Sequence, residues 1–77
     1  MSRVIKFEKN DCVPCDQVSA FLDEKGVSYE RINPFDDPEL AVKYKVRTVP
    51  TVLVLDGEVV QQRIIGFRPD ELQGIAQ

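Results

Sequence analysis

Two cysteines, Cys12 and Cys15, stand close together in the segment NDCVPCD and are the only cysteines of the 77-residue chain. Such a pair is typical of a structural disulfide, of half a metal site, or of a dithiol that is oxidised and reduced in turn. The chain has no histidine and no third cysteine, so a zinc site would need two chains to share one ion. A disulfide here closes a very small ring, which limits its structural value. The spacing therefore favours the reversible dithiol, with a metal bridge between two chains as the remaining alternative.

The composition is that of a small folded protein. Hydrophobic residues make up 43% of the chain, which excludes a disordered or collagen-like protein. The formal net charge is −3 with both signs interspersed, so no basic patch predicts nucleic-acid binding. Charges interrupt the N-terminal residues before an apolar segment develops, and nothing approaches the length of a membrane span. We therefore expect one domain over residues 1–77 in the cytoplasm, where thiols are kept reduced and a lasting disulfide is the exception.

Short β-branched runs alternate with helical patterns along the chain. Strands are predicted at Val4–Phe7, Val27–Ile32, Val49–Leu55 and Glu58–Ile65, with a two-residue hairpin turn at Asp56-Gly57. Helices are predicted at Val13–Lys25, ended by Gly26, from Asp37 to about Tyr44 or Lys45, and from Pro69 onward. The order βαβαββα, with a right-handed crossover joining the first two strands, predicts an α/β fold: a mixed four-stranded sheet with helices on both faces.

The first predicted helix gives its two cysteines different chemistry. Cys12 lies at the helix N-terminus, where free backbone N–H groups and the helix dipole favour the thiolate, the attacking form of the thiol. Cys15 lies one turn further along, beside the apolar stripe of the helix, so it is expected to be more buried and protonated. We therefore expect Cys12 to attack a substrate disulfide and Cys15 to resolve the mixed disulfide. Pro14 suits the first turn, where its missing N–H would have no helical partner.

With these elements in place, the chain resembles the thioredoxin superfamily over nearly its whole length. The segment KVRTVPT, residues 45–51, is similar to the family segment in which a cis proline lies against the active-site cysteines. The resemblance implies a thioredoxin-like fold, a cis Val49-Pro50 bond and a backbone at Val49 that pairs with an extended substrate segment. The segments KNDCV at residues 9–13 and GFRPD at residues 66–70 are most similar to the NrdH-type redoxins, which have the size of glutaredoxins.

The resemblance implies a thiol-disulfide oxidoreductase, a protein-disulfide reductase and electron carrier with a redox-active Cys12–Cys15 disulfide and no bound cofactor or metal. It implies thioredoxin reductase, a flavoenzyme that uses NADPH, as the electron donor and a disulfide-bearing protein such as ribonucleotide reductase as the target. No nucleic acid or membrane partner is expected, and the small polar surface favours a monomer. The residues expected to support the site or to rim an apolar docking patch are Val13, Pro14, Val49, Pro50, Gly66 and Phe67.

Two further interpretations concern the redox potential and residues with structural roles. Val13 and Pro14 offer no charge or hydrogen bond to the thiolate, so we expect a couple nearer thioredoxin, at about −270 mV, than strong oxidants at about −120 mV. Asp11 is expected to cap the first helix, and Gly66 to permit close backbone approach by a neighbouring element or a partner. The aromatic residues expected to pack in the core are Tyr29, Phe35 and Tyr44. For Phe67, core packing and a place on the docking rim are both open.

The chain departs from both families at several positions. The Gly-Gly-x-x-Asp segment with which glutaredoxins hold glutathione is absent after the proline strand. Lys6 stands where thioredoxins have a buried aspartate, so the group that removes the proton from Cys15 is undetermined. Glu8 qualifies only if it points inward, and an exposed position is expected for it. Two alternatives stay open: a glutaredoxin that takes electrons from glutathione, and a non-catalytic adaptor that binds a partner through a thioredoxin-like surface.

Overall fold

The computed structural model describes residues 2–75, which form four strands and three helices in the predicted order βαβαββα. The strands are β1 Ser2–Phe7, β2 Glu30–Ile32, β3 Thr51–Asp56 and β4 Val59–Ile65, and the helices are α1 Val13–Glu24, α2 Pro38–Lys43 and α3 Pro69–Ile75. The strand order is β2-β1-β3-β4; β2 runs parallel to β1, and the other two pairs are antiparallel. This confirms the mixed four-stranded sheet. None of the helices in the described part of the chain is long and apolar enough to cross a membrane.

Side chains alternate across β1, so the two faces of the sheet carry separate hydrophobic cores. Ile5 and Phe7 point to one face and form the α2-side core with Ala41, Tyr44, Leu53 and Leu55. The other face is covered by α1 and α3, and its α1/α3-side core consists of Val18, Leu22, Val52, Ile64 and Leu72. Burial of each large aliphatic side chain contributes roughly 1.5–3 kcal/mol, so both cores hold their helices firmly against the sheet. The prediction of helices on both faces is confirmed.

A β-bulge allows β4 to contribute to both cores. The register of β4 against β3 shifts between Val54 and Leu55, which leaves Gln61 as an extra residue in β4. Side chains four residues apart in a regular strand lie on the same face. Because of the bulge, Val60 instead packs against the α2-side core while Ile64 lies in the α1/α3-side core.

The C-terminus of α1 explains why β2 is shorter than predicted. Gly26 has a φ of +72°, and its N–H donates to the carbonyl of Asp23 at 3.1 Å. The N–H of Val27 donates to the carbonyl of Leu22 at 2.9 Å, which completes a Schellman arrangement. The predicted ending at Gly26 is confirmed. Because Val27 closes the helix, the strand contains only Glu30–Ile32 instead of Val27–Ile32.

The β3–β4 hairpin turn lies one residue later than predicted. Asp56 pairs with Val59, so the two turn residues are Gly57 and Glu58 rather than Asp56 and Gly57. Gly57 has a φ of +61°, which glycine adopts without steric cost. At the other end of β3, Pro50 has no N–H for the ladder, and the strand begins after it instead of at Val49.

Candidate functional site

Three segments that the sequence predicts for one site adjoin strand ends at the same edge of the sheet. Phe7, the last residue of β1, lies opposite Thr51, the first residue of β3, so the loop after β1 and the residues before β3 share this edge. β4 ends here as well, because Ile65 also pairs with Thr51. The N–H of Gly66 donates to the carbonyl of Pro50 at 2.9 Å. The converging segments are Cys12–Cys15, Val49-Pro50 and Gly66-Phe67.

Cys12 is the N-cap residue of α1. Its backbone is extended, with φ −126° and ψ 103°, and its Sγ accepts a hydrogen bond from the N–H of Cys15 at 3.2 Å. The Cys12 carbonyl accepts the N–H of Asp16 at 3.1 Å, the first bond of the helix. The Cys12 sulfur therefore accepts a backbone hydrogen bond from the first turn and lies at the positive end of the helix dipole, a position that favours a thiolate. The predicted cap Asp11 lies one residue earlier, at a φ of +54°, so that prediction is wrong.

Cys12 and Cys15 form a disulfide with their Cα atoms 5.2 Å apart, within the usual range for this bond. Cys15 is 1% exposed and Cys12 is 6% exposed, so Cys12 is the more accessible of the two. Val13 and Pro14 between them are exposed, which gives the site an apolar edge toward solvent. This arrangement permits a disulfide and a dithiol at the same positions, and the less deeply buried cysteine is the one at the helix terminus.

The proline segment is held in place by local hydrogen bonds. The Val49-Pro50 bond is cis, as the resemblance implies, and the Pro50 side chain is fully buried. Val49 is partly buried against the α2-side core. Thr51 Oγ1 donates to the carbonyl of Thr48 at 2.7 Å, which ties the residues before β3 to the strand.

Gly66 and Phe67 differ in how far they fit their predicted roles. Gly66 has a φ of +82°, and a Cβ built on it meets no atom within 4 Å. No neighbouring element of the described chain therefore requires a glycine here, and close approach by a partner stays a prediction. The left-handed conformation is what favours glycine. Phe67 is partly buried against the α1/α3-side core, and its ring meets that of Phe21 edge-on with centroids 6.4 Å apart. The structure thus shows core packing for Phe67, and its place on a docking rim stays a prediction.

A groove of about 360 Å³ beside Val49 was not predicted. Its lining consists of Lys9, Pro34, Phe35, Val46, Arg47, Thr48 and Val49. Phe35 is 80% exposed, so its predicted core packing is wrong, whereas Tyr44 is buried as expected. Of the described residues that line the groove, two are cations and none is acidic. The signal in the sequence was an aromatic residue in a loop between two prolines, Pro34 and Pro38.

A polar cluster lies under α1, on the face of the sheet that carries this helix. Lys6 is 1% exposed, and its Nζ donates to Glu8 Oε1 at 2.6 Å and to Ser19 Oγ at 2.5 Å. The Glu8 side chain is 25% exposed and turned toward Lys6, so the expectation of an exposed Glu8 is wrong. Arg31 lies 3.9 Å from the same Glu8 oxygen. The polar cluster Lys6–Glu8–Ser19 therefore joins β1 to the middle of α1.

Two ion pairs away from the cysteines shift side-chain pKa values. Hydrogen bonds from Arg3 at 2.8 and 2.9 Å, together with its charge, lower the pKa of Glu30. A hydrogen bond from Lys43 at 2.6 Å likewise lowers the pKa of Glu58. Within residues 2–75, no group of three or more histidine, cysteine, aspartate or glutamate side chains is placed to hold a metal ion.

Comparisons with known proteins found matches over most of the chain. Residues 4–60 match the family model described as glutaredoxin. The chain is 38% identical over 72 residues to the SPbeta prophage-derived thioredoxin-like protein YosR of Bacillus subtilis, covering 91% of this chain and 89% of that protein. It is 30% identical over 76 residues to thioredoxin of Staphylococcus aureus, covering 90% of this chain and 72% of that protein.

Solved structures with the same fold include relatives of similar size. The chain is similar to NrdH-redoxin of Escherichia coli, a glutaredoxin-like protein described as having a thioredoxin-like activity profile. The two superpose with a TM-score of 0.77 at 29% identity, over 95% of this chain and 93% of that one. The predicted thioredoxin-like fold is confirmed.

Proposed function

Because the chain belongs to the glutaredoxin family of the thioredoxin superfamily, we propose that it is an electron carrier that reduces protein disulfides and is recharged by thioredoxin reductase. Family membership and the Cys12–Cys15 disulfide establish thiol-disulfide redox chemistry in general. The proposal adds the direction of electron flow, the donor and the target. The observation that carries it is the placement of Cys12 as the N-cap of α1, with Cys15 buried behind it.

In the proposed reaction, the Cys12 thiolate attacks one sulfur of the target disulfide. A bond forms between Cys12 Sγ and that sulfur, the target S–S bond breaks, and the second target sulfur leaves as a thiolate. Cys15 then loses its proton and attacks Cys12 Sγ, which closes the Cys12–Cys15 disulfide and releases the first target sulfur. The target gains two electrons and the carrier loses two, which thioredoxin reductase returns from NADPH.

The edge of the site supports docking of an extended target segment. We propose that the segment pairs with the backbone of Val49 and contacts the exposed side chains of Val13 and Pro14. Val49 lies outside β3, so the ladder of that strand does not include it. The similarity to NrdH-type redoxins supports ribonucleotide reductase as the target class.

The test is NADPH oxidation coupled to reduction of insulin disulfides, with thioredoxin reductase and this protein as the carrier. The wild-type protein is expected to support turnover, and Cys12→Ser is expected to abolish it. Cys15→Ser is expected to accumulate a mixed disulfide with the target, visible by mass spectrometry under non-reducing conditions. Val59→Ser, at an exposed position on β4, is the control and should retain activity. Turnover by Cys12→Ser, or no turnover by the wild-type protein, would refute the proposal.

The groove beside Val49 favours a second candidate function, reduction of the carrier by glutathione. Glutathione is a peptide with two carboxylates, and Lys9 and Arg47 place two cations along the groove. In the same assay, glutathione with glutathione reductase replaces thioredoxin reductase as the donor. Turnover with glutathione that is weakened by Arg47→Gln supports this candidate, whereas turnover only with thioredoxin reductase rejects it.

A further inference from the structure

Among residues 2–75, Lys6 is the one charged side chain that is buried. It lies on the face of β1 that carries α1, beside Val52 of β3, which belongs to the α1/α3-side core. Moving an ammonium out of water costs free energy that a buried ion pair often does not fully return. Replacement of a whole buried ion pair by apolar side chains of similar volume is often neutral or stabilising. The charge therefore indicates a role other than stability.

The Lys6 ammonium donates a hydrogen bond to α1 one helical turn after Cys15. Its hydrogen-bond acceptor Ser19 stands four residues after Cys15 on α1, so the two side chains are neighbours on one face of the helix. Side chains of a helix lean toward its N-terminus. The Ser19 side chain, to which the ammonium is bound, therefore leans toward the turn that holds Cys15.

We propose that Lys6 is a positioning residue for the redox reaction, whose ammonium favours the thiolate form of Cys15 during resolution of the mixed disulfide. The inference rests on the proposed function. Apolar surroundings hold a buried thiol in its protonated form, and a cation beside the thiol has the opposite effect. In this step the Cys15 proton passes to water, the Cys15 sulfur forms a bond to Cys12 Sγ, and the target sulfur leaves as a thiolate. The dithiol is oxidised and the target is reduced.

The charges around the polar cluster set the size of the effect. Glu8, at the end of β1, opposes the field of Lys6, and Arg31 of β2 lies 3.9 Å from Glu8 and partly offsets it. Near Cys15 on the chain, Asp11 and Asp16 are exposed, so solvent screens them. One helical turn of about 5.4 Å and one hydrogen bond together correspond to a separation of about 8 Å. At an effective dielectric constant of about 20, a unit charge at that separation shifts the pKa of a thiol by about 1.5 units. With the opposing charge of Glu8, we expect about half of that shift from Lys6.

The test measures the Cys15 thiol directly. In a Cys12→Ser chain, Cys15 is the only cysteine, and the ultraviolet absorbance of its thiolate against pH gives the apparent pKa without a reagent that must enter the site. Addition of Lys6→Met, which keeps the side-chain length and removes the charge, is expected to raise this pKa by about 0.7 units. Glu8→Gln removes the opposing charge and is expected to lower it. Lys25→Met, at the far end of α1, makes the same change in net charge and is expected to leave the pKa unchanged.

The two-cysteine protein provides a kinetic reading of the same effect. A mixed disulfide between Cys12 and thionitrobenzoate releases a coloured thiol when Cys15 resolves it. Near neutral pH, Lys6→Met is expected to slow this release about twofold, because the roughly fivefold smaller thiolate fraction is partly offset by the higher nucleophilicity of a thiolate with a higher pKa. Lys25→Met is expected to resolve at the wild-type rate.

The outcomes separate this inference from the proposed function. One outcome is that Lys6→Met changes the urea midpoint but leaves the Cys15 pKa equal to that of the Lys25→Met control. That result would show that Lys6 is merely structural and would overturn the inference. If Lys6→Met does not fold, Glu8→Gln decides: a lowered pKa supports the inference, and an unchanged pKa overturns it. None of these readings needs a reductase or a protein target. A shifted pKa without insulin reduction would therefore support the role of Lys6 and reject the electron-carrier function.

Discussion

The free energies of unfolding of the oxidised and reduced forms of this protein should differ by a small amount, which can be calculated from the structure. Cys12 and Cys15 are separated by 3 positions in the sequence, so the disulfide closes a ring of very few residues. For a ring of about four residues, the chain-entropy relation gives about 1.9 kcal/mol in favour of the oxidised form. In the reduced form, the Cys12 thiolate at the N-cap regains about 0.3–1 kcal/mol from the helix terminus. We expect the oxidised form to be more stable by about 1 kcal/mol.

The same difference appears in the reduction potential through linkage. Folding that stabilises the disulfide more than the dithiol by about 1 kcal/mol lowers the potential of this two-electron couple by about 20 mV relative to the unfolded chain. The fold should therefore make the pair slightly more reducing. This direction agrees with the predicted potential near that of thioredoxin.

Urea unfolding of the oxidised protein and of the protein kept in excess reductant measures the difference in unfolding free energy. The double variant Cys12→Ser/Cys15→Ser is the control and should unfold identically in both conditions. A reduced form more stable than the oxidised form would contradict the reasoning, because the thiolate interactions would then outweigh ring closure. A difference above about 3 kcal/mol would contradict it as well, since so small a ring cannot supply that much.

Three further predictions concern stability and docking. Leu72→Ala, which truncates a fully buried side chain of α3, should lower the unfolding free energy by about 3 kcal/mol in urea titrations; a loss below about 1 kcal/mol would contradict the packing described for α3. Arg3 lowers the pKa of Glu30 below 4.5, so its ion pair is formed above that value and lost as pH falls through the lowered pKa. Glu30→Gln should therefore lower the urea midpoint slightly at neutral pH, and a difference that persisted in acid would contradict this assignment. Phe35→Ala should change stability by less than about 0.5 kcal/mol and raise the KM for the donor or target that uses the groove, while Val42→Ala, equally exposed but outside that groove, should not.

Much of the fold could be predicted because it depends on signals that are local in the chain. Gly26 takes the left-handed conformation that ends α1, and Pro38 begins α2 in its first turn. The placement of Cys12 and Cys15 in the first turn of α1 was also predictable, because a C-x-x-C pair directly after a short strand indicates where the helix begins. The apolar Thr51–Asp56 strand is central in the sheet, as its composition suggests.

What could not be predicted depends on contacts between elements that are distant in the chain. The residue type of Lys6 gives no sign of burial, because the helix that covers it and Ser19 that binds it come later in the sequence. Only the resemblance, which places Lys6 where thioredoxins have a buried aspartate, pointed to the interior. The inward orientation of Glu8 was equally unpredictable, because it depends on the hydrogen bond from the buried Lys6. Phe35 lies in a loop without periodicity, so no pattern determines whether its ring faces solvent or core. The end of α1 was located correctly, but the use of Val27 to close it depends on a hydrogen bond that no residue type signals.

The irregularity in β4 has a consequence for how firmly the hairpin is aligned. Val60 and Ile64 are committed to opposite faces of the sheet, each inserted among the side chains of a different helical layer. A slide of the strand by one position would turn both side chains out of their layers together. Two side chains therefore fix the register of the hairpin, independently of its turn residues. Because the register of β4 is fixed, the N–H of Gly66 after the strand is held beside the carbonyl of Pro50.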